Sequence, residues 1–282
     1  MNIKKLAIQP IVFSIIILLA CRSTVAAQGS NRCISLGKNS TWIDNLLIAD
    51  SIMPGKGIAY TAEFDIIPND ALETKLILNE LFSSCLQKKT IAQLMTSRVN
   101  TNMEAMEERY WKNVTISLIL FPEMDAASRE LVKIRIKIKA VSATVKFDSK
   151  TKINISKKEQ QRLSFKNAYR LNAGRLPGIR VSKISTLNIE GNTGEPVSFL
   201  VELQTLDSKE WMEWFMNGAG GVQKEQMTLE LLEPDMRSVI TAINLGDLEI
   251  ISYSSIYNSN QPTIQRNIVG LQTRNFSINT SR

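Results

Sequence analysis

Hydrophobic and polar residues alternate along most of this chain, and the most regular stretch is "FPEMDAASRELVKIRIKIKA", residues 121–140. Successive side chains of a strand point to opposite faces. Val132, Ile134, Ile136 and Ile138 therefore share one face, and Lys133, Arg135, Lys137 and Lys139 share the other. Strand patterns also cover 58–67, 114–121, 131–147, 163–172, 179–190, 196–206, 226–232, 239–253 and 264–278. Two segments depart from them with helical spacing. "ALETKLILNELFSSCLQ" (71–87) follows Asp70, and Glu73 three residues on completes a capping-box pattern. "SKEWMEWFMNG" (208–218) follows Asp207, with Glu210 in the matching place. Trp211, Trp214 and Phe215 lie at i, i+3 and i+4, an aromatic face that must bury against a sheet.

The elements after each helix come in the same order. "YWKNVTISLILFP", a turn and the basic strand follow the first. "GGVQKEQMTLELLEPD", "SVITAINLGDLEIISYS", a turn and "TIQRNIVGLQTRNFSI" follow the second. Asp70 pairs with Asp207 and Asn113 with Asn244, each roughly 130 residues apart, as in an internal duplication of one β-rich unit with a single packed helix. The units are 28–147 and 162–282. The polar, basic segment between them, "DSKTKINISKKEQQ" (148–161), is expected to be a linker. The first unit is irregular: "MTSRVNTNMEAMEERYWKN" (95–113) is polar where a hairpin is expected.

The N-terminal residues, "MNIKKLAIQPIVFSIIILLACRSTVAAQG", have the layout of an export signal. Lys4 and Lys5 precede an apolar core from Ile11 to Ala20 that is too short to span a bilayer as a helix. Cleavage after Val25-Ala26-Ala27 would remove 1–27 and leave Gln28 first. "LLAC" instead resembles a bacterial lipoprotein box, in which Cys21 is acylated and kept; an uncleaved anchor is the third outcome. Each of the first two leaves Cys33 and Cys85 as an even pair in an oxidising compartment. A bridge there would contribute roughly 4 kcal/mol by loop entropy. Alternatively Cys85 simply packs, since Leu78, Leu81, Phe82 and Cys85 share one helical stripe.

Removing the signal leaves about 255 residues, enough for one large domain or two ordinary ones. With 44% apolar and 22% charged residues the chain is expected to fold. Loss of Lys4, Lys5 and Arg22 lowers the net charge from +7 to +4, too mild to argue for nucleic acid. The chain has no histidine. That excludes the usual serine or cysteine nucleophile–base pairs, His-ligated zinc and His acid–base chemistry. Glu104, Glu107 and Glu108 read as a solvated face. Ser35-Leu-Gly-Lys38 and Ser149-Lys-Thr-Lys152 match Ser-x-x-Lys without its companion motifs. Gly218-Ala219-Gly220-Gly221 follows a helix, so it reads as a C-cap and turn and not as a phosphate loop. No enzyme, cofactor or metal is expected.

The helix ending in Trp and Phe, the hairpin after it, and "FPEMDAAS" leading into an alternating strand resemble the phage tail tube superfamily. More narrowly, the order is similar to a duplicated bacterial form known as phage tail protein. Its second copy opens with a segment like "LSFKNAYRLNAGRLPGIRVSKISTLNIE" (163–190). The resemblance covers roughly residues 55–280 and includes no catalytic signature. It implies a mainly β (α+β) fold of two similar small β-barrel or sandwich domains, each with one packed α-helix. It also implies assembly edge to edge into six-membered rings that stack as a tube, so that three chains with tandem copies would make a pseudo-sixfold ring. Tail tubes are built in the cytoplasm, so an export signal departs from the pattern and points to a changed use of the fold, such as a periplasmic or cell-surface assembly.

The cations at 133, 135, 137 and 139 are then expected either on a solvated edge strand guarded by lysine or against an acidic partner or anionic envelope surface. Specific nucleic-acid readout is not expected, with 6% aromatic residues and no accompanying motif. Two functions follow. One is a non-enzymatic exported structural protein acting by self-association or by docking to envelope or tail-like proteins. The other is a monomeric periplasmic or surface binding module, in one version a lipoprotein, for an anionic partner.

Overall fold

The computed structural model describes residues 31–53, 57–155, 162–174, 176, 181–191, 195–204, 208–218, 225–256 and 266–279. The first unit runs β1 (Arg32–Leu36), β2 (Asn39–Met53), β3 (Gly57–Ile66), α1 (Leu72–Leu86), β4 (Ile91–Val99), β5 (Ala105–Phe121), β6 (Met124–Asp125), β7 (Ile134–Ala140) and β8 (Ser142–Phe147). The second runs β9 (Tyr169–Asn172), β10 (Val181–Ile184), β11 (Leu187–Glu190), β12 (Val197–Gln204), α2 (Ser208–Gly218), β13 (Glu225–Leu232), β14 (Val239–Ile256), β15 (Arg266–Thr273) and β16 (Asn275–Asn279). The fold is mainly β, with two barrel-like sheets, each accompanied by one helix.

Three long strands change partner midway, and each does so at a residue that tolerates left-handed backbone. Asn45, Asn113 and Asp247 all have φ of 50 degrees, a conformation in which Asn and Asp are favoured among residues with a side chain. β2 leaves β1 for β3 around Asn45. β5 pairs with β4 up to Val114 and with β7 from Thr115. β14 pairs with β13 up to Leu248 and with β15 from Glu249. The partner change on β5 closes the first sheet in the order β5-β4-β1-β2-β3-β7-β5. In the second sheet β9, β13, β14, β15, β12 and β10 follow in the same sense. The Tyr169 hydroxyl spans from β9 to β10 by donating to the Val181 carbonyl at 3.0 Å.

Pairing shows that the two units repeat one topology. β4–β5 matches β13–β14, β3–β7 matches β12–β15, and β8 on β5 matches β16 on β14. Asn113 corresponds in this ladder to Asp247, not to Asn244. The Asn244 side chain instead bonds Thr228 and Ser277 on neighbouring strands.

One apolar core runs through both barrels, from Ile34 and Trp111 to Trp211, Leu271 and Phe276. Both helices contribute, but α1 does not begin as its sequence suggests. Its N-cap is Ala71, with no side-chain capping bond. The Asp70 carboxylate instead accepts from the Arg162 backbone at 3.0 Å, while Asn69 accepts from Ala71 N–H. Asp207 lies outside the described residues, as do 219–221. Trp211 and Trp214 are buried edge to face at 6.1 Å, and Phe215 stacks on Tyr253, as the aromatic spacing requires.

The first part of the expected linker is packed structure. Thr151 and Ala105 bond through their backbones, as do Ile153 and Met103. Ile153 joins Cys33, Val99 and Ala105 in a small second cluster. Residues 156–161 lie outside the described residues.

Candidate functional site

The basic stripe begins at Lys133, just before β7, and continues along β7; burial alternates strictly there, and the even-numbered residues from Val132 to Ala140 are buried. Lys133, Arg135, Lys137 and Lys139 are all exposed, as the alternation predicts. β7 is not an edge strand, however. It pairs with β3 on one side and β5 on the other, so guarding a free edge cannot be the purpose of these cations.

Each cation has its own surroundings. Lys133 lies 3.4 Å from Asp44. The Arg135 guanidinium reaches Asp65 at 3.0 Å and Glu63 at 3.4 Å. Asp65 is buried and also accepts from Asn45 at 2.7 Å. The bond to Asp65 raises the pKa of Arg135 further above its ordinary value. Arg135 thus neutralises a buried carboxylate at the bend of β2, which makes it a structural counter-ion. Among the described residues no ion pair forms to Lys137 or Lys139.

The other sequence candidates do not converge. Cys33 and Cys85 are free and buried in different places. Cys33 faces the small cluster beneath residues 148–155, whereas Cys85 lies on the inner face of α1 in the main core. Of the two alternatives, the bridge is absent because the sulfurs belong to separate clusters, and Cys85 packs on its helical stripe. Burial pushes the Cys33 thiol up to about 12 and the Cys85 thiol up to about 11. Cys21 lies outside the described residues, along with 1–30. Glu107 and Glu108 point to opposite faces of β5, the former toward Arg98 and the latter buried beside the Tyr110 hydroxyl. Glu104 closes a turn with Asn100. Ser35 is buried against Ser40 while Lys38 stands in an exposed hairpin turn; Ser149 bonds Thr151. No helix among the described residues is long and apolar enough to cross a membrane.

What the fold does assemble is a junction between the units. β11, from the second unit, pairs with β5 of the first, from Leu187 opposite Phe121 to Glu190 opposite Leu118. β6, from the first unit, pairs with β10 of the second. Glu123–Lys183 and Glu130–Lys166 ion pairs flank that exchange at 3.0 and 2.6 Å. α1 packs on β2 and β5 of its own unit and also on β16 and β11 of the other.

Gly191, just after β11, lies hard against the backbone of β5. A Cβ there would lie 2.0 Å from the Ile116 carbonyl oxygen and 3.3 Å from Cys85 Sγ, so only glycine fits. The Cys85 thiol points to the Ile189 carbonyl at 3.7 Å. Sequence reasoning missed this junction because β11 reads as the end of one strand over 179–190. The available signal was Gly191 itself, closing an alternating run.

Compared with protein-family models and with curated proteins, the chain matches none.

Proposed function

We propose that this chain is a non-enzymatic, exported structural protein. Its duplicated tail-tube-like units act by associating with further copies or by docking to envelope proteins, in the periplasm or at the cell surface, as a free or lipid-anchored protein. The reading is supported above all by the junction, where each unit lends a strand to the other's sheet. Strand edges that complete a neighbour's sheet are a means of assembly as well as of folding. The tail-tube resemblance and the repeated topology agree with it.

Mass spectrometry of the exported chain tests the location, by distinguishing a diacylated Cys21 from a free Gln28. Sedimentation at two salt concentrations tests the association: masses above one chain are expected, and a single-chain mass throughout refutes it. The competing reading, a monomeric module for an anionic polymer or protein, draws on Lys137 and Lys139, which face outward with no ion pair among the described residues. It requires binding that weakens steeply with salt.

A further inference from the structure

The internal junction specifies what each outer surface of the chain lacks. In the first unit α1 is covered by β16, a strand of the second unit. The outer edge of β5 at Leu118–Phe121 is covered by β11, also from the second unit. The second unit repeats the acceptor elements, with α2 on β14 as α1 is on β5. Counting from the bends at Asn113 and Asp247, the positions on β14 that match Leu118–Phe121 are Ser252–Ser255. These pair with β15 on one side, and among the described residues nothing pairs on the other.

The outer side of α2 carries Met212 and Met216, 46% and 68% exposed, and Ile251 beside the free edge is 49% exposed. β8 holds in the first unit the place of β16 in the second. Among the described residues β8 pairs with β5 alone, and it is flanked by Val141 and ended by Phe147, 68% and 70% exposed.

We infer that the outer face of α2, with the free edge of β14, is a docking surface for the first unit of a second copy of this chain. The β8 strand of that copy lies against α2 as β16 lies against α1. The inference rests on the self-association reading and makes it specific: the contact is head to tail, joining two different surfaces. The partner is another copy because the covering strand of the internal junction has a counterpart on the same molecule, β8, over which no strand lies among the described residues.

The test uses the full chain with Met216→Glu, which charges the α2 face, and Phe147→Glu, which charges the β8 end. Both side chains are exposed, so circular dichroism should be unchanged; Met212→Arg and Val141→Glu replace either variant that fails to fold. Sedimentation is expected to show each variant at one-chain mass at concentrations where the parent chain is assembled. Mixing the two variants should give a two-chain species and nothing larger, because each keeps one intact surface. Association of the parent that survives both substitutions overturns this surface and leaves self-association standing. Variants that each dissociate but do not pair when mixed also overturn it. A parent chain that is single at every concentration overturns both this surface and the reading beneath it.

Discussion

The two helices occupy the same step of the repeat but differ in how much of them is buried. On α1 the buried positions are Thr74, Ile77, Leu78, Leu81, Phe82, Ser84 and Cys85, a broad band that fits a helix held between two sheets. On α2 the fully buried side chains are Trp211 and Trp214, a narrow band that fits a helix lying on one sheet. The two units thus carry different helices at the same step of one repeated topology. Under the proposed head-to-tail contact, the broad band belongs to the junction made within the chain, and the narrow band with its exposed methionines to one that a second copy completes.

The largest effects are expected in the core. Because one apolar cluster spans both units, Trp111→Ala and Trp211→Ala should each cost about 3–5 kcal/mol. Trp111→Ala also leaves the Thr96 hydroxyl without the indole that donates to it at 3.0 Å. Both should lower the midpoint of one shared unfolding transition in denaturant. Two separate transitions, each sensitive to one tryptophan, would mean that the units fold independently and the junction is weak.

Gly191→Ala probes the junction alone. The added methyl would meet a backbone oxygen that cannot swing aside, so a loss of about 3 kcal/mol is expected. A midpoint unchanged from the parent would show that β11 is not seated against α1 and β5.

The basic stripe offers a smaller contrast. Arg135→Met removes the partner of buried Asp65 and should cost about 2 kcal/mol, moderated by the exposure of the guanidinium and by the remaining bond from Asn45. Lys139→Met should change stability by no more than about 0.5 kcal/mol. Equal effects in thermal melts would refute separate roles for the two cations.

The smallest effect is one of pH. Unfolded thiols ionise near ~8.5, whereas burial holds those of Cys33 and Cys85 protonated up to about 12 and about 11. The folded chain then binds more protons than the unfolded one above that lower range. Stability is therefore complete at neutral pH and falls as pH rises from ~8.5 toward 11. Denaturant midpoints at pH 8 and 10.5 should show the fall, and a Cys33→Ala/Cys85→Ala chain should show less of it. A slope equal to that of the parent would place both thiols in contact with water.

Sequence patterns reveal the strands whose two faces differ sharply, such as β7 and β12, and both helices. They do not reveal 32–53 or 91–113. There the strands bend and change partners at Asn45 and Asn113, so the alternation loses phase. The outward face around Cys33, Ser97 and Glu108 is also buried, so it carries no simple polar signature. Residues 148–155 look like a tether because their anchoring is largely through backbone bonds, to which side-chain patterns are blind. The capping box at Asp70 fails for a tertiary reason: Arg162, distant in sequence, takes the carboxylate. The junction was legible only as the duplication. Pairing between units depends on where β11 turns, and a four-residue strand gives too short a pattern to show that.

Hydrogen exchange of α1 and α2, followed in one sample at low and at high protein concentration, compares the two helices most directly. The backbone amides of α1 from Ile77 to Cys85 should be strongly and equally protected at both concentrations, because their covering strand is in the same chain. Those of α2 from Trp211 to Met216 should be less protected than those of α1 when dilute and gain protection as concentration rises. Protection of α2 that matches α1 when dilute, or that never responds to concentration, would contradict the claim that one junction is complete within the chain and its repeat awaits a second copy.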